Sequence, residues 1–184
     1  IKACQELGVK VILFAKVVWA DRGTKWFREE LVNMAVKDPY GDYYLHPGYK
    51  YQTGTQLLDL NTKRLIPMCF GAEAYMKICE REFLKMVELG ADGILIDECM
   101  HHGPARLCFD ESHGHRYGWP VYANDRRLIE RFRTLEGVPE DFLIAGEACY
   151  DWEMEAYELS YFRSEDKEYL PLSRYLWPQA QYMT

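Results

Sequence analysis

The sequence predicts an α/β fold with a parallel sheet, most simply a fragment of a (β/α)8 TIM barrel. Three observations carry this prediction. Apolar runs alternate with stretches of helical period, which is the order that builds a parallel sheet covered by helices. The strand-to-helix links are long and the helix-to-strand links short, as in barrels that build active sites after their strands. No glycine fingerprint for a nucleotide follows any strand, which disfavours a doubly wound sheet.

The first half of the chain supplies two strands and two helices. Lys10 to Trp19 is a nearly continuous β-branched and aromatic run, which predicts a buried parallel strand. Thr24 to Val36 and Ala72 to Leu89 carry apolar residues at helical spacing. The intervening stretch, rich in Gly, Tyr and Pro, predicts a long loop with at most a short strand at Gln56 to Leu60. Gly93 to Ile96 is the second buried strand.

The second half repeats the pattern. A polar loop leads to Asn124, which is predicted to cap a helix that ends before Gly137. Phe142 to Ala148 is the third predicted strand. The remaining expected elements are a short helix near Trp152 to Ala156, a weaker strand around Glu158 to Arg163, and the start of another unit in Ser173 to Thr184.

Length and charge set the limits of the interpretation. A full barrel needs about 250 residues, and the chain has 184, so we expect about four to five of eight units. The chain opens at Ile1 without Met, so we expect one partial catalytic domain, 1–184, truncated at both ends. The net charge of −7 argues against a nucleic-acid partner, and no apolar run is long enough to cross a membrane. Localisation and oligomeric state are left open.

The six cysteines are scattered and form no Cys-x-x-Cys pair, which is a poor match to zinc ribbons or redox sites. We therefore expect buried or half-buried small apolar side chains, with no metal and no cofactor. The cysteines are Cys4, Cys69, Cys79, Cys99, Cys108 and Cys149.

Two carboxylates occupy equivalent places at the ends of apolar strands. Asp97 ends Gly93-Ile-Leu-Ile-Asp, and Glu147 nearly ends Phe142-Leu-Ile-Ala-Gly-Glu. Strand alternation puts Leu95 and Asp97 on one face, and Ala145 and Glu147 on one face. In adjacent barrel strands about 5 Å apart, both acids would project into the same mouth. Such a pair fits a retaining glycosidase, in which one carboxylate is the nucleophile and the other the acid/base.

Both strands resemble those of known glycoside hydrolases. The run Leu89-Gly-Ala-Asp-Gly-Ile-Leu-Ile-Asp-Glu is similar to the fourth barrel strand of α-amylase and α-galactosidase type enzymes, where an Asp is the nucleophile. Phe142-Leu-Ile-Ala-Gly-Glu is similar to the next strand of the α-amylase type. Nearly the whole chain resembles an uncharacterised family of bacterial glycoside-hydrolase-like barrels that share Asp-Glu-Cys-x-His-His-Gly-Pro. The resemblance implies that Asp97 is the nucleophile and Glu147 the acid/base.

The resemblance has two departures. The α-amylase type has an Arg two residues before the nucleophile, where this chain has Leu95. In the α-galactosidase type the acid/base lies on a later strand, which would move that role away from Glu147. Glu98 is a further candidate, although alternation directs its side chain toward the helix layer.

A carbohydrate substrate is the expected partner, because polar and aromatic side chains suited to sugars follow the strands. The candidate binding residues are Lys16, Trp19, Asp21, Glu98, His101, His102, Trp119, Tyr150 and Trp152.

Two other functions are consistent with the sequence. Four histidines in one loop, near the acids, are compatible with a metal-dependent hydrolase on the same barrel. A non-catalytic carbohydrate-binding barrel, whose acids are structural, is the second alternative. The histidines are His101, His102, His113 and His115.

Overall fold

The computed structural model describes residues 1–46, 65–98, 106–121, 125–147, 149, 153–161, 175–176, 178–179 and 181–183. The chain divides into two compact units. The first comprises Ile1–Lys16, Ile78–Gly103 and Asp125–Thr184. The second comprises Val17–Lys77 and Pro104–Asn124. No helix among these described residues is long and apolar enough to cross a membrane.

Within the described ranges, the regular elements are short strands and three α-helices. In chain order the strands are β1 (Ile12–Ala15), β2 (Trp19–Asp21), β3 (Leu65–Pro67), β4 (Gly93–Ile96), β5 (Leu107–Cys108), β6 (Trp119–Pro120), β7 (Leu143–Glu147), β8 (Leu159–Tyr161) and β9 (Gln181–Met183). The helices are α1 (Lys2–Gln5), α2 (Glu73–Glu88) and α3 (Asp125–Thr134). Single helical turns lie at Phe27–Leu31, Val32–Met34, Glu111–His113 and Glu153–Glu155.

The first unit is built on a five-stranded sheet in the order β1-β4-β7-β8-β9, and every pairing is parallel. This confirms the parallel sheet that the alternation of strands and helices predicts. The strands run in phase, so that Phe14, Leu95, Ala145 and Leu159 lie side by side in one row. Residues in one such row point to the same face of the sheet.

The two faces of the sheet differ in burial. Ile94, Ile96 and Ile144 point to one face and are each 1% exposed. On the opposite face Phe14 is 65% exposed and Leu95 is half-buried. Apolar side chains on the second face are typical of the inside of a barrel, where layers of branched residues fill the interior.

Stacked aromatic rings join the helices of the first unit. The ring of Phe83 in α2 stacks on that of Phe132 in α3, with centroids 4.2 Å apart. Phe142, just before β7, meets Phe83 edge-on at 5.4 Å. All three side chains are buried, and such pairs add to the free energy of burial when offset or edge-on.

The second unit has little regular structure among its described residues. β2 pairs with β3, and β5 with β6, in two antiparallel two-stranded sheets. Strands of two or three residues bury little surface, so this unit depends on its side-chain contacts.

Several predicted elements need correction. The run Lys10 to Trp19 is not one strand: β1 ends at Ala15, and Trp19 begins β2 in a different sheet. An apolar run cannot reveal that the chain changes sheets within it, because both strands take their residues from the same run. β1 is also less buried than predicted, since Phe14 is exposed. The predicted helix from Thr24 to Val36 contains a π-helical turn and then a 3-10 turn. β3 was not predicted, and Gln56 to Leu60 lies outside the described residues.

The other predicted elements are confirmed with small shifts at their ends. The helices predicted over Ala72 to Leu89 and after Asn124 correspond to α2 and α3. The strands predicted at Gly93 to Ile96 and Phe142 to Ala148 correspond to β4 and β7, and β8 lies within the weaker predicted strand. β9 lies in the stretch where another unit was expected to begin.

Gly93 allows β4 and β7 to lie side by side. A Cβ atom on Gly93 would lie 2.6 Å from the carbonyl oxygen of Leu143 and 2.8 Å from its Cβ. We expect Gly93→Ala to lower the free energy of unfolding by about 2–3 kcal/mol, because the strands must separate. Gly90→Ala is the matched control: it has φ +80° and open space around it, so it should cost only about 1–2 kcal/mol. Urea unfolding measures both variants, and equal losses of unfolding free energy would contradict a steric clash between β4 and β7.

The carboxylate of Asp92, just before β4, joins the amino-terminal residues to the sheet. It accepts hydrogen bonds from the Val11 amide at 2.8 Å, Gln5 Nε2 at 2.9 Å and Lys10 Nζ at 3.0 Å. Chiefly through the Val11 amide, these bonds lower the pKa of Asp92 to about 2. In the unfolded chain the pKa of this aspartate is ~3.9. The stabilisation is therefore complete above that value and is lost as the pH falls toward 2.

Asp92→Asn should destabilise the protein at pH 6, and the difference from wild type should shrink between pH 4 and pH 2. The reason is that wild-type Asp92 becomes protonated over that range and loses the same charge-assisted bonds. Urea unfolding across the pH series measures the difference. A difference that stays constant down to pH 2 would show that the charge of Asp92 does not contribute.

Candidate active site at the carboxyl ends of the parallel strands

Three polar residues follow the row of Phe14, Leu95 and Ala145 by two positions. These residues are Lys16, Asp97 and Glu147. Because strand side chains alternate, continuing the register places all three on the same face as that row, at the carboxyl ends of β1, β4 and β7. Tyr161 of β8 pairs in register with Glu147 and extends the row. The sequence did not point to Tyr161, because its strand is short and its pattern weak.

Lys16 forms ion pairs with two neighbouring acids. Its Nζ lies 3.1 Å from Asp97 Oδ2 and 2.8 Å from Glu98 Oε2. The lysine side chain is 23% exposed, and those of Asp97 and Glu98 are 15% and 18% exposed. Partial removal from water strengthens attraction between opposite charges. One cation therefore holds two adjacent carboxylates at the end of β4.

The backbone turns sharply at Glu98. Its φ of +46° is left-handed, a conformation that costs a non-glycine residue about 1–3 kcal/mol. The prediction that alternation directs Glu98 toward the helix layer is therefore wrong. Strand alternation does not extend to Glu98, and the turn brings its carboxylate to the same lysine as Asp97.

Glu147 is a buried acid. Its side chain is held at the end of β7, and the residue is 4% exposed. The backbone amide of Glu98 donates a hydrogen bond of 2.9 Å to its Oε2. A buried carboxylate requires such a donor to offset its loss of water. The left-handed turn thus connects the ends of β4 and β7, and it places Asp97 and Glu147 in different surroundings.

The remaining predicted binding residues fall into two groups. Trp19, Asp21 and Trp119 lie in the second unit, and Trp19 is buried, with its ring centroid 4.6 Å from that of His46. The Asp21 carboxylate accepts a hydrogen bond from the Gly23 amide at 2.7 Å. Their role in sugar binding stays a prediction. The predicted residues outside the described part of the chain are His101, His102, Tyr150 and Trp152.

The structure brings His113 and His115 together with two cysteines of the second unit. The ligand atoms of Cys69, Cys108, His113 and His115 all lie within 4.8 Å of one another. Cys69, Cys79, Cys108 and Cys149 are buried as expected, Cys4 is exposed, and Cys99 lies outside the described residues. The grouping was not predicted, because the two cysteines are far apart in sequence. A hydrogen bond from Cys69 lowers the pKa of Cys108, and the same bond and burial raise the pKa of Cys69.

The chain belongs to the family described as a domain of unknown function (DUF6259), whose model matches residues 1–172. No curated protein sequence matches it.

Solved structures of glycoside hydrolases are similar to the chain. An α-N-acetylgalactosaminidase, NagBb from Bifidobacterium bifidum, has a TM-score of 0.71 at 16% identity over 98% of this chain and 27% of that enzyme. TtGalA, an α-galactosidase from Thermus thermophilus in complex with stachyose, has a TM-score of 0.58 at 13% identity over 98% of this chain and 35% of that enzyme. The maltogenic α-amylase AmyB from Thermotoga neapolitana has a TM-score of 0.55 at 13% identity over 88% of this chain and 30% of that enzyme.

The chain spans between a quarter and about a third of the length of these enzymes. At these identities the likeness establishes a shared fold. The chain therefore shares its parallel β/α fold with a portion of each of these enzymes.

The Lys16–Glu98 ion pair gives a test of the site's electrostatics. We expect Lys16→Met to lower the free energy of unfolding by about 1–3 kcal/mol, because Asp97 and Glu98 lose their shared cation. The partial exposure of the pair keeps the cost at the low end of buried pairs. Glu98→Gln in the Lys16→Met background should recover part of the loss.

The double-mutant cycle of Lys16→Met and Glu98→Gln should give a coupling energy of about 0.5–2 kcal/mol. Urea unfolding of the four proteins measures it. Strictly additive losses would mean that the two side chains do not interact in solution.

Proposed function

We propose that the protein is a glycoside hydrolase that cleaves glycosidic bonds of an oligo- or polysaccharide by a retaining mechanism. Asp97 is the nucleophile and Glu147 the acid/base. The complete site would be formed by a full (β/α)8 barrel, of which this chain supplies part. The observation that supports the proposal most strongly is the register of three adjacent parallel strands, in which Lys16, Asp97 and Glu147 each follow the paired row of Phe14, Leu95 and Ala145 by two positions. Barrel enzymes place catalytic groups at this end.

The proposed reaction has two steps. In the first, Asp97 attacks the anomeric carbon while Glu147 donates a proton to the departing glycosidic oxygen, which forms a glycosyl ester on Asp97. In the second, Glu147 removes a proton from water, and the water oxygen displaces Asp97 with net retention. No cofactor is consumed in either step.

The two acids have different surroundings. Asp97 lies 3.1 Å from the Lys16 ammonium, which would hold the attacking carboxylate in place. Glu147 is buried, which would keep the proposed proton donor away from bulk water. The Glu98 amide, through its bond to Glu147 Oε2, orients the acid. Lys16 and Glu98 are proposed to position the two acids, and Tyr161, which pairs in register with Glu147, is proposed to contact the sugar.

The solved neighbours suggest which substrates to test first. Their names record action on α-linked N-acetylgalactosamine and α-linked galactose. We therefore propose aryl α-galactosides and aryl N-acetyl-α-galactosaminides as the initial substrates, followed by α-glucosides. Trp19, Trp119, Tyr150 and Trp152 are proposed to stack on sugar rings, and Asp21, His101 and His102 to bind hydroxyl groups.

Substitution of the two acids tests the proposal. Asp97→Asn should lower kcat/KM by at least about 1,000-fold on every substrate that is turned over, which corresponds to about 4 kcal/mol of transition-state stabilisation. Glu147→Gln should cause a comparable loss on sugars with poor leaving groups but a much smaller one in the first step with dinitrophenyl glycosides. Such leaving groups depart without a proton.

Asp92→Asn is the matched control. Asp92 precedes the amino end of β4, whereas Asp97 follows its carboxyl end, so the kcat of Asp92→Asn should stay near that of wild type.

The outcomes separate the candidate functions. Loss of turnover with retained sugar binding in both variants supports the two-carboxylate mechanism. Equal loss for Asp92→Asn would mean that destabilisation, and not chemistry, causes the effect. If the protein binds sugars, turns over none of them, and binds equally well after both substitutions, the proposal fails in favour of a carbohydrate-binding barrel.

A further inference from the structure

A group of two cysteines and two histidines lies in the second unit and takes no part in the proposed reaction. We propose that Cys69, Cys108, His113 and His115 bind one zinc ion, which holds this unit together. The inference is independent of the proposed function, because it concerns residues of one unit alone.

The spacing of the four ligand atoms suits a single tetrahedral ion. Cys69 Sγ lies 3.3 Å from His115 Nε2, and Cys108 Sγ lies 3.3 Å from His113 Nδ1. Zinc bonds of about 2.3 Å to sulfur and 2.0–2.1 Å to nitrogen give a tetrahedron with edges of about 3.3–3.8 Å. The four ligand atoms all lie within 4.8 Å of one another, so small side-chain movements would bring them to bonding distance of one ion.

The histidine tautomers are those that a metal requires. His113 Nε2 lies 2.9 Å from the carbonyl oxygen of Asn33, and His115 Nδ1 lies 2.9 Å from that of Arg116. A carbonyl oxygen only accepts, so each of these nitrogens carries the proton. The other nitrogen of each ring then presents a lone pair, and it is the one that faces a cysteine sulfur. Metal-bound histidines in proteins are oriented by such backbone acceptors.

The surrounding backbone leaves room for the rings. A Cβ atom on Gly71 would lie 2.3 Å from His115 Cδ2, so only glycine allows His115 to reach the group. Gly114, between the two histidines, has φ +85°, a turn that glycine adopts without strain. The Trp119 ring stacks on His115, with centroids 6.1 Å apart. The two cysteines are thus buried, and the indole of Trp119 covers the ring of His115.

The ligand set selects zinc and a structural role. Two sulfur and two nitrogen ligands around one point are typical of tetrahedral zinc. A two-iron cluster would need its cysteine and histidine pairs on different metal atoms, whereas here each cysteine lies against a histidine within one compact group. Four protein ligands leave no open position for water, which is the mark of a structural site. This contrasts with the metal-hydrolase alternative, in which a metal bound by histidines among His101, His102, His113 and His115 would activate water.

Zinc at this position would connect segments that have little other regular structure. Cys69 follows β3, Cys108 ends β5, and His113 ends the 3-10 turn Glu111–His113. β3 and β5 belong to different two-stranded sheets. One ion would therefore join both small sheets and the turn. Metal binding commonly supplies this stabilisation where strands are too short to form a core.

Metal analysis of the purified wild-type protein tests the inference. Elemental analysis should find about one zinc per chain, and removal of zinc by a strong chelator should lower the Tm by at least about 5 °C, with recovery on adding zinc back. Cys108→Ser and His115→Gln should each reduce the zinc content to about a tenth or less. Cys4→Ser, which removes an exposed thiol, and Cys79→Ala, which removes a buried one, are the matched controls and should keep full zinc content.

Cobalt replaces zinc as a probe that does not depend on the folding of any variant. Wild-type protein stripped of zinc and titrated with Co²⁺ should develop thiolate-to-cobalt charge-transfer absorption and the visible bands of a tetrahedral ion, saturating at one equivalent. Folded wild-type protein with less than a tenth of an equivalent of zinc and no such bands would overturn the proposal. A Cys69–Cys108 disulfide in the protein purified under reducing conditions would overturn it as well.

Discussion

The register of the parallel sheet is the constraint on which the rest of the site depends. β1, β4 and β7 pair so that Phe14, Leu95 and Ala145 form one row, and side chains alternate along each strand. Two positions later the same geometry brings Lys16, Asp97 and Glu147 to one face. A shift of one strand by a single residue would send its acid or its lysine to the opposite face. The proposed chemistry therefore depends on the backbone hydrogen bonds that set this register.

Two backbone features protect that register at its ends. Gly93 starts β4 at a point where any side chain would collide with Leu143 of the neighbouring strand. Glu98 leaves β4 through a left-handed turn, and its amide bonds to Glu147. The second feature carries a conformational cost that the Lys16 ion pair and the buried carboxylate offset. Strain of this kind is found where a site needs a defined geometry.

The sequence was informative where one signal dominated. Buried parallel strands such as Gly93 to Ile96 and the long helix α2 follow from continuous apolar runs and helical period. Alternation predicts that Asp97 and Glu147 share one face at the ends of neighbouring strands, and their catalytic roles stay a prediction. The turn at Glu98 could not be predicted, because a left-handed glutamate has no sequence signature. The Cys69–Cys108 contact was missed because it depends on how two small antiparallel sheets meet, and short strands carry almost no periodicity. Only the His-Gly-His spacing of His113 to His115 hinted at the group.

Asp97 is proposed to act as a covalent nucleophile, and trapping of the glycosyl-enzyme is the direct test of that role. The protein is incubated with a slow fluorinated analogue of whichever sugar it turns over, then digested and analysed by mass spectrometry. We expect one glycosyl ester per chain, on the Asp97 carboxylate. A stable adduct on Glu98 or Glu147 would show that Asp97 is not the nucleophile. Turnover of the parent sugar with inversion and no adduct would show that no covalent intermediate forms.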